Sequence, residues 1–486
     1  MTSQTFSNHS GIALVLCSTL LWLTGCTVGP NYKRPVVAAP EIYRGASDQQ
    51  AGNAAQNGTA QNVQKNDKSA SLSDQKWWEV FQDQELQELI RTALRQNYDL
   101  RIAASRILEA QAQLGITRAD QYPSVAVGGS MVNQQSAATG PIPSFQQTTG
   151  QLNVSAAWQL DFWGRFRRAT EAARANLLAS EWARRQVVTT LIANVAAAYF
   201  QLREFDLELE ISRRTVGSRT GSLQLTKTLQ EHGVNSMLDV RQAEQLVYTA
   251  SEQVPDLERR IAQQENALSI LLGNNPGDIP RGLKLTEQPH APEVPAGLPS
   301  ALLERRPDVR QAEQQLIAAN AEIGVARSAF FPQISLTGSA GYQSSALNSL
   351  FTGPSGFWSM AGALAQPIFQ GGRIRSNLRL TQAQEEEAVL FYQKTIQGAF
   401  RDVSDALIGY RKDREFREQQ ELLTQAAQDA ARLSEIRYRA GESSYIEVLT
   451  NETNYFTAEL GLAQAQGNEL IALVQLYQAL GGGWEQ

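Results

Sequence analysis

Very few residues of this 486-residue chain have the chemistry of an enzyme active site. The three histidines, His9, His232 and His290, are scattered, so neither a histidine zinc site nor a histidine-dependent triad is expected. A Walker A loop and the motifs HExxH, GxSxG and CxxC do not occur. The carboxylates at 385–387 are interpreted as a solvated helix face. We therefore predict no enzyme, no catalytic residue and no metal site.

A covalent modification is the one reaction that the sequence does predict, and it falls on Cys26. An apolar run of 12 residues at 12–23 is too short to span a bilayer and has the length of a signal-peptide core. It leads into LTGC at 23–26, which resembles the bacterial lipobox, although residues 1–11 contain no Lys or Arg. We expect a signal peptide at 1–25 and a covalent lipid on Cys26. A buried helix that ends in an ordinary cysteine is the alternative.

The rest of the chain consists of two copies of one unit. GVNSMLDV at 233–240 aligns with GESSYIEV at 441–448, and GRFR at 164–167 aligns with GRIR at 372–375, each with a shift of 208 residues. Such repetition indicates two structural repeats. We predict a lipidated extension with a low-complexity linker at 26–75, repeat 1 at 76–273, a Pro-rich linker at 274–299 and repeat 2 at 300–486.

Each repeat is expected to contain a helix, two strands, a very long helix, a turn and a return helix. The long helices are predicted at 165–232 and 373–440, which at 1.5 Å per residue makes each about 100 Å long. Apolar residues recur along both in steps of 4, 3, 4 and 3, for example at Val188, Ile192 and Val195, a seam typical of coiled coils. Return helices are predicted at 236–273 and 444–480, and further helices near 84–117 and 300–329.

Four segments have the pattern of outer-membrane barrel strands. QLNVSAAWQLDF at 151–162 has apolar residues at the even positions and polar residues at most odd positions. PQISLTGSAGYQ at 332–343 alternates too, and weaker segments lie near 123–135 and 356–369. Apolar-out, polar-in alternation over about ten residues is the signature of a membrane barrel strand. A soluble sandwich packed over these faces is the alternative.

Four strands cannot close a barrel by themselves. An open sheet edge in lipid leaves backbone groups unpaired, at a cost of several kcal/mol each. The chain is therefore expected to form oligomers. Two copies would supply eight strands, whose interior is filled by side chains, whereas three would supply twelve and leave a pore.

Several motifs together carry a resemblance to a known family. They are CTVGPNYKRP at 26–35, WWEVFQDQELQELI at 77–90, LDFWGR at 160–165, ERRPDVRQAEQQLIAANAEIGVARSAFFPQISL at 304–336, QPIFQGGR at 366–373 and LYQALGGGW at 476–484. The chain from 26 to 484, apart from the low-complexity spacer, resembles the outer-membrane factor family of efflux channels, the TolC-like group, in its NodT-type lipoprotein branch. The resemblance implies a mixed α and β membrane protein. It would be a homotrimer with a 12-stranded outer-membrane β-barrel, four strands per chain, that continues into a long periplasmic α-helical barrel of coiled-coil hairpins.

The resemblance also implies a function and partners. The protein would be the outer-membrane exit duct of a tripartite efflux pump and would passively conduct drugs or other small toxic compounds. A periplasmic adaptor would dock on the helix tips, and an inner-membrane pump of the RND type would supply the energy. The net charge of −6 gives no indication of nucleic-acid binding. Metal-ion cargo stays open, as does a coiled-coil lipoprotein that tethers the envelope, which would explain the helices but not the strands.

The turns between the long and return helices are the predicted functional tips. Gly233 and Gly441 are expected to end the long helices, since glycine adopts the left-handed conformation found at helix C-termini. By resemblance to the family, the acidic gate position falls on Glu447. The link that joins the two hairpins falls on Tyr438 and Asp239.

Two tip positions depart from the family pattern, because a second acidic gate position falls on Thr450 and a basic position falls on Ser443. Three Glu447 side chains in a trimer would crowd a narrow aperture and favour cations. Alternatively, Glu447 caps or solvates the start of the return helix. The predicted adaptor contacts are Gly233, Val234, Asn235, Ser236, Gly441, Glu442, Ser443 and Ser444.

Overall fold

The computed structural model describes residues 27–37, 40, 43–44, 72, 76–138, 140–141, 143–289 and 299–484. The predicted signal peptide, Cys26 and nearly all of the low-complexity linker lie outside the described residues. The chain divides into two compact units. The first, here called the sheet unit, contains Arg106–Ser180, Gln311–Tyr392 and residues 27–36. The second, the hairpin unit, contains Glu181–Arg310, Gln393–Gln486 and the described residues from Val37 to Ser105.

The same order of elements, helices followed by two strands, a long helix and a return helix, occurs twice along the chain. The predicted domain boundaries themselves stay a prediction. The helices are α1 (Trp77–Val80), α2 (Gln84–Gln96), α3 (Tyr98–Ala119), α4 (Arg165–Glu231), α5 (Met237–Leu271), α6 (Pro299–Arg305), α7 (Pro307–Ser328), α8 (Arg373–Arg439) and α9 (Tyr445–Ala479). The strands are β1 (Ser124–Ser136), β2 (Phe145–Leu160), β3 (Gln333–Ser344) and β4 (Gly356–Ala365).

The two helices predicted ahead of the strands are each divided, at Asn97 and at Arg306, where one continuous helix was expected. Asn97 caps α3, because its side-chain oxygen accepts a hydrogen bond from the N–H of Leu100 at 3.1 Å. Arg306 precedes Pro307, and the residue before a proline is sterically disfavoured in helical conformation. Proline is well suited to the first position of the new helix. Local side-chain chemistry therefore explains both interruptions.

The four strands form one antiparallel sheet in the order β1-β2-β3-β4. Val154 of β2 lies opposite Val127 of β1 and Ala340 of β3. Ala340 in turn lies opposite Trp358 of β4. Because residues directly opposite each other point to the same side of a sheet, one face carries apolar and small side chains across all four strands. The other face carries many hydroxyl and amide groups, including a row formed by Ser155, Ser339 and Ser359.

The apolar face of this sheet is uncovered in the single chain. Val127 is 74% exposed, Trp358 is 77% exposed and Met360 is 83% exposed. In the described part of the chain, β1 and β4 each pair with one neighbour only, so both outer edges of the sheet are open. A contiguous apolar face of this kind marks a contact with a membrane or another protein. Both edges and the apolar face are therefore available for contacts outside the described chain.

The long helices have nearly the predicted bounds. α4 and α8 each contain 67 residues, begin at the predicted residue and end one residue before the predicted end. Within the hairpin unit, the predicted apolar seam is buried, since Val188, Ile192 and Val195 are each at most 3% exposed. The heptad-like spacing thus identified the packed face of these helices.

Within the described residues, none of the helices combines the length and the apolar character that crossing a bilayer would need.

Candidate functional site

The two long helices end in turns of the same construction. Gly233 and Gly441 both have φ of 75°, the left-handed conformation that glycine adopts without steric cost. In each turn the N–H of the residue after the glycine donates to the carbonyl five positions earlier, at 2.9 Å. The glycine N–H itself donates three positions back, also at 2.9 Å. Both tips are therefore Schellman turns, which satisfy the last carbonyls of the helix.

The return helices begin differently in the two repeats, although the sequences align there. In repeat 1, Ser236 and Asp239 form a capping box, with the Asp239 carboxylate accepting from the Ser236 N–H at 2.9 Å. In repeat 2, the side chain of Ser444 makes no capping hydrogen bond. The equivalent acid, Glu447, instead forms an ion pair with Arg437 at 3.0 Å. The Glu447 carboxylate is thus directed to the long helix α8 and not to the N-terminus of its own helix, α9.

The two hairpins are joined at the tip by Tyr438, but its partner is not the predicted one. The side-chain amide of Asn235 donates to the Tyr438 hydroxyl at 3.0 Å. Asp239, which resemblance to the family paired with Tyr438, directs its carboxylate to Ser236. In this chain Asn235 therefore takes the place that was predicted for Asp239.

Thr450 and Ser443 occupy the two positions that depart from the family pattern, and neither can form the ion pair that a charged residue would make there. The Thr450 hydroxyl donates to the carbonyl of Ile446 one turn earlier on the same helix, at 2.8 Å. The hydroxyl of Ser443 is buried and has no hydrogen-bond partner among the described residues. Neither side chain contributes charge to the tip.

An apolar cluster, here called the tip cluster, packs the two hairpins together next to these turns. Its buried members are Ala243, Tyr445, Val448 and Leu449, with Leu223, Leu246 and Tyr438 packed against them. Burial raises the pKa of the Tyr445 hydroxyl, and this hydroxyl lies 3.4 Å from Thr226 Oγ1 of the other hairpin. The cluster contains residues of both repeats, so the two tips pack as one body.

Several apolar side chains at the tip remain exposed, and sequence reasoning missed three of them. Val234 is 70% exposed and was predicted as an adaptor contact. Met237, Leu238 and Ile446 are between 52% and 65% exposed and were not predicted. The sequence did contain an indication of this exposure. The repeat alignment places an apolar residue at both 238 and 446, whereas the buried residue of this part of α5 is Val240. Exposed apolar residues in a turn region suit a protein contact.

Residues 27–36, which directly follow the predicted lipidation site, pack within the sheet unit. The N–H of Val28 donates to the carbonyl of Trp163 at 3.0 Å. Gly29 has φ of 119°, and a Cβ at this position would come within 2.6 Å of the Cα of Gly324. Only glycine fits such an approach. The chain that leaves Cys26 is thus held in a fixed path.

Among the described residues, no three His, Cys, Asp or Glu side chains gather in a group that could hold a metal ion.

Comparison with known proteins gives a consistent result. The sequence profile of the family described as "Outer membrane efflux protein" matches residues 89–274 and 298–482. The toluene efflux pump outer membrane protein TtgC of Pseudomonas putida is 39% identical over 477 residues, which cover 97% of this chain and 95% of TtgC. The cation efflux system protein CusC of Escherichia coli is 34% identical over 469 residues, covering 96% and 97%. The solved structure of the outer-membrane channel OprN superposes with a TM-score of 0.86 at 30% identity, covering 95% of this chain and 100% of OprN.

Proposed function

Since the chain belongs to the outer membrane efflux protein family, we propose that three copies associate into a closed 12-stranded barrel. The observation that carries this proposal is the four-stranded sheet with two open edges and one exposed apolar face. Backbone groups at an edge cannot stay unpaired in lipid, so β1 of one copy would pair with β4 of the next. Twelve strands enclose a pore, whereas eight are filled by their own side chains.

The protein is an outer-membrane efflux protein with a large periplasmic part, and it serves as the exit duct of a tripartite pump. In the proposed barrel, the apolar face that contains Val154 and Trp358 meets lipid. The face that contains Ser155 and Ser339 lines an aqueous lumen. The duct conducts passively, and we propose no catalytic step and no metal for it.

We propose that the paired hairpin tips close the periplasmic end at rest and dock a periplasmic adaptor. Support comes from the Tyr438 to Asn235 hydrogen bond and the tip cluster, which hold the two hairpins of one chain together. The exposed apolar residues around Leu238 and Ile446 offer the contact surface for the adaptor. An inner-membrane pump of the RND type, which binds the same adaptor, would supply the energy.

A covalent lipid on Cys26 would complete the attachment to the membrane. Support comes from the lipobox-like sequence LTGC at 23–26. The added acyl chains contribute about 0.8 kcal/mol per buried CH₂ to membrane binding.

The cargo is proposed to be small toxic organic compounds. One relative is named for toluene and another for cations, so similarity alone leaves both classes open. The sequence contains only four methionines and three histidines, few for a duct that handles soft metal ions. Deletion of the protein from its host should therefore raise sensitivity to antibiotics and solvents more than to copper or silver.

The experiment that tests the duct is reconstitution of the purified protein. We expect a trimer by mass measurement and stepwise ion conductance in planar bilayers. A stable monomer that never conducts would contradict the proposal and would favour the envelope tether instead.

Removing the Tyr438 hydroxyl should open the tip. Tyr438→Phe deletes the hydrogen bond to Asn235, and the loss of one bond worth about 1 kcal/mol shifts a two-state ratio about fivefold. Bilayer recordings should show a correspondingly larger open fraction. Tyr455→Phe is the matched control, because the Tyr455 hydroxyl bonds to Glu459 of its own helix at 2.7 Å. Equal open fractions in the two variants would remove Tyr438 from the gate.

Neutralising Glu447 should reduce cation selectivity at the tip. A ring of carboxylates favours cation passage, and Arg437 offsets part of this charge in each chain. Glu447→Gln should lower divalent-cation block, and Arg437→Gln should raise it, as measured by reversal potential and by titration with Mg²⁺ in planar bilayers. Glu442→Gln, which neutralises an exposed glutamate of the same tip, is the control. If Glu447→Gln and Glu442→Gln behave alike, Glu447 does not line the constriction.

A further inference from the structure

The long helix of repeat 1 buries a charged side chain before it reaches the tip. Arg219 of α4 is 4% exposed. Its Nη1 donates to the carbonyl of Leu246 in α5 at 2.8 Å, and its Nη2 lies 3.5 Å from the carbonyl of Glu452 in α9. Its guanidinium carbon lies 4.9 Å from the centre of the Phe456 ring. One side chain of the first hairpin therefore reaches a return helix of each hairpin.

The charge of Arg219 is only partly compensated. Its Nε has no hydrogen-bond partner among the described residues, and burial lowers the pKa of the guanidinium. The charge of Glu452 acts on Arg219. Burial raises the pKa of Glu452, the charge of Arg219 works against this shift, and Glu435 of α8 adds to it. Removing a cation from water costs desolvation free energy. Contacts with carbonyl groups and a ring face offset this cost only in part.

Arg219 lies between two separate apolar clusters. On one side is the tip cluster, which includes Leu223 of α4 and Leu246 of α5. On the other side is a second cluster formed by Ile211, Ala250, Phe456 and Ala463. On each of the helices α4, α5 and α9, the two clusters lie on opposite sides of the position occupied by Arg219 and Glu452. The apolar contact between the hairpins is thus interrupted at one level by a charge.

We propose that Arg219 sets the level at which the two hairpins separate when the tip opens. Parting the two apolar clusters exposes apolar surface to water, which costs free energy. At Arg219, parting instead lets water solvate a buried cation, which recovers desolvation free energy. The inference rests on the proposed function, because it presupposes that the tips form a gate.

If Arg219 acts in this way, opening of the tip depends on the charge of its side chain. The size and the hydrogen bonds of the side chain matter less. Arg219→Met fills the site with an apolar chain, and Arg219→Gln keeps polar donors without a charge. Both should favour the closed state, because neither gains from hydration as a cation does. Arg219→Lys keeps the charge and should retain most of the opening, although it loses the reach to two carbonyls.

The experiment uses purified full-length trimers that contain Tyr438→Phe, which is expected to open the tip. Two quantities are measured: the open fraction in planar bilayers and the midpoint of thermal unfolding. Adding Arg219→Met or Arg219→Gln should lower the open fraction about fivefold. The midpoint shows whether a variant is merely destabilised, because removing Arg219 leaves the partly buried Glu452 without its compensating charge. Arg213→Met is the matched control, because Arg213 lies on the same helix and forms an exposed ion pair with Glu258 at 2.6 Å.

The possible results separate the inference from the gate itself. If Tyr438→Phe opens the tip but neither Arg219→Met nor Arg219→Gln closes it again, the role of Arg219 is wrong and the gate stands. If Arg219→Lys closes the tip as strongly as Arg219→Met, the hydrogen-bond geometry decides and not the charge, which also overturns the inference. If Tyr438→Phe has no effect although the trimers conduct, the Tyr438 link between the hairpins does not hold the tip closed, and the inference, which depends on the separation of the two hairpins, fails with it.

Discussion

Replacing Asp83 with alanine is expected to lower the midpoint of thermal unfolding of the purified protein by about 4 °C. Asp83 is 1% exposed and accepts hydrogen bonds from five donors. Two of them are N–H groups of the first turn of α2. The others are the Tyr199 hydroxyl at 2.8 Å, the N–H of Leu283 at 3.0 Å and the Gln288 amide at 2.9 Å.

The size of the effect follows from what the substitution leaves behind. Each buried donor that loses its acceptor costs about 1–3 kcal/mol, and water can replace only some of the lost bonds, so the total is on the order of 4 kcal/mol. Asp83 caps α2 and, in the same unit, ties it to α4 and to Leu283 and Gln288 of the Pro-rich linker. Its loss therefore weakens three segments at once.

Far-UV circular dichroism in detergent would follow the unfolding. Asp99→Ala is the control, because Asp99 is an exposed acid in the first turn of the adjacent helix α3, where a surface substitution changes stability by only about 0.5 kcal/mol. A midpoint for Asp83→Ala within a degree or two of the Asp99→Ala midpoint would show that the five hydrogen bonds do not support the hairpin unit.

The parts of the fold that depend on local pattern could be predicted from the sequence. The two-residue period of the strands placed Leu152 and Val154 on one face, and the register of the sheet extends that face across β3 and β4. The ends of the long helices were predicted to within one residue, because Gly233 and Gly441 each impose a backbone conformation that stops a helix. Both signals act over a few residues and need no knowledge of distant contacts.

The pairing of side chains across the chain could not be predicted in the same way. Tyr438 and Asn235 are 203 residues apart, and their contact depends on the relative position of two hairpins. Asp239 was an equally suitable partner by residue type, but its own helix start satisfies its carboxylate at shorter range. The interaction of Glu447 with Arg437 was also missed, since resemblance to the family assigned Glu447 to the gate and the alternative was a cap on its own return helix. Equivalent positions in two repeats can therefore differ in their partners.

The stability of the protein is expected to fall as the pH rises from about 5 to about 8, and Glu204 should account for a large part of that change. Glu204 lies on α4, is 6% exposed and packs directly against Gly467 of α9, where a Cβ would overlap its carboxylate. Its Oε2 has no hydrogen-bond partner among the described residues. Burial, together with the charge of Glu208 one turn away, raises the pKa of Glu204 to about 7.

The charged groups around Glu204 determine the sign of the effect. Glu208 accepts a hydrogen bond from Gln464 of α9 at 2.8 Å, and Arg260 of α5, the nearby cation, is shared with Asp256 at 2.7 Å. In the unfolded chain the Glu204 carboxyl titrates near its ordinary pKa of 4.5. Between pH 4.5 and about 7, Glu204 therefore stays protonated in the folded protein, whereas in the unfolded chain it has already lost its proton. The stabilising contribution is complete below pH 4.5 and is lost as the pH rises through 7.

Glu204→Gln should remove this dependence, because the amide fills the same space and carries no charge at any pH. Relative to the unmodified protein, the variant should gain stability between pH 5 and pH 8 by on the order of 3 kcal/mol, the free energy that corresponds to the shift in pKa. Thermal or denaturant unfolding at a series of pH values would measure this difference. Glu210→Gln, at an exposed position on the same helix, should leave the pH profile unchanged. Parallel pH profiles for Glu204→Gln and the unmodified protein would mean that Glu204 is hydrated in the assembled trimer and ionises freely there.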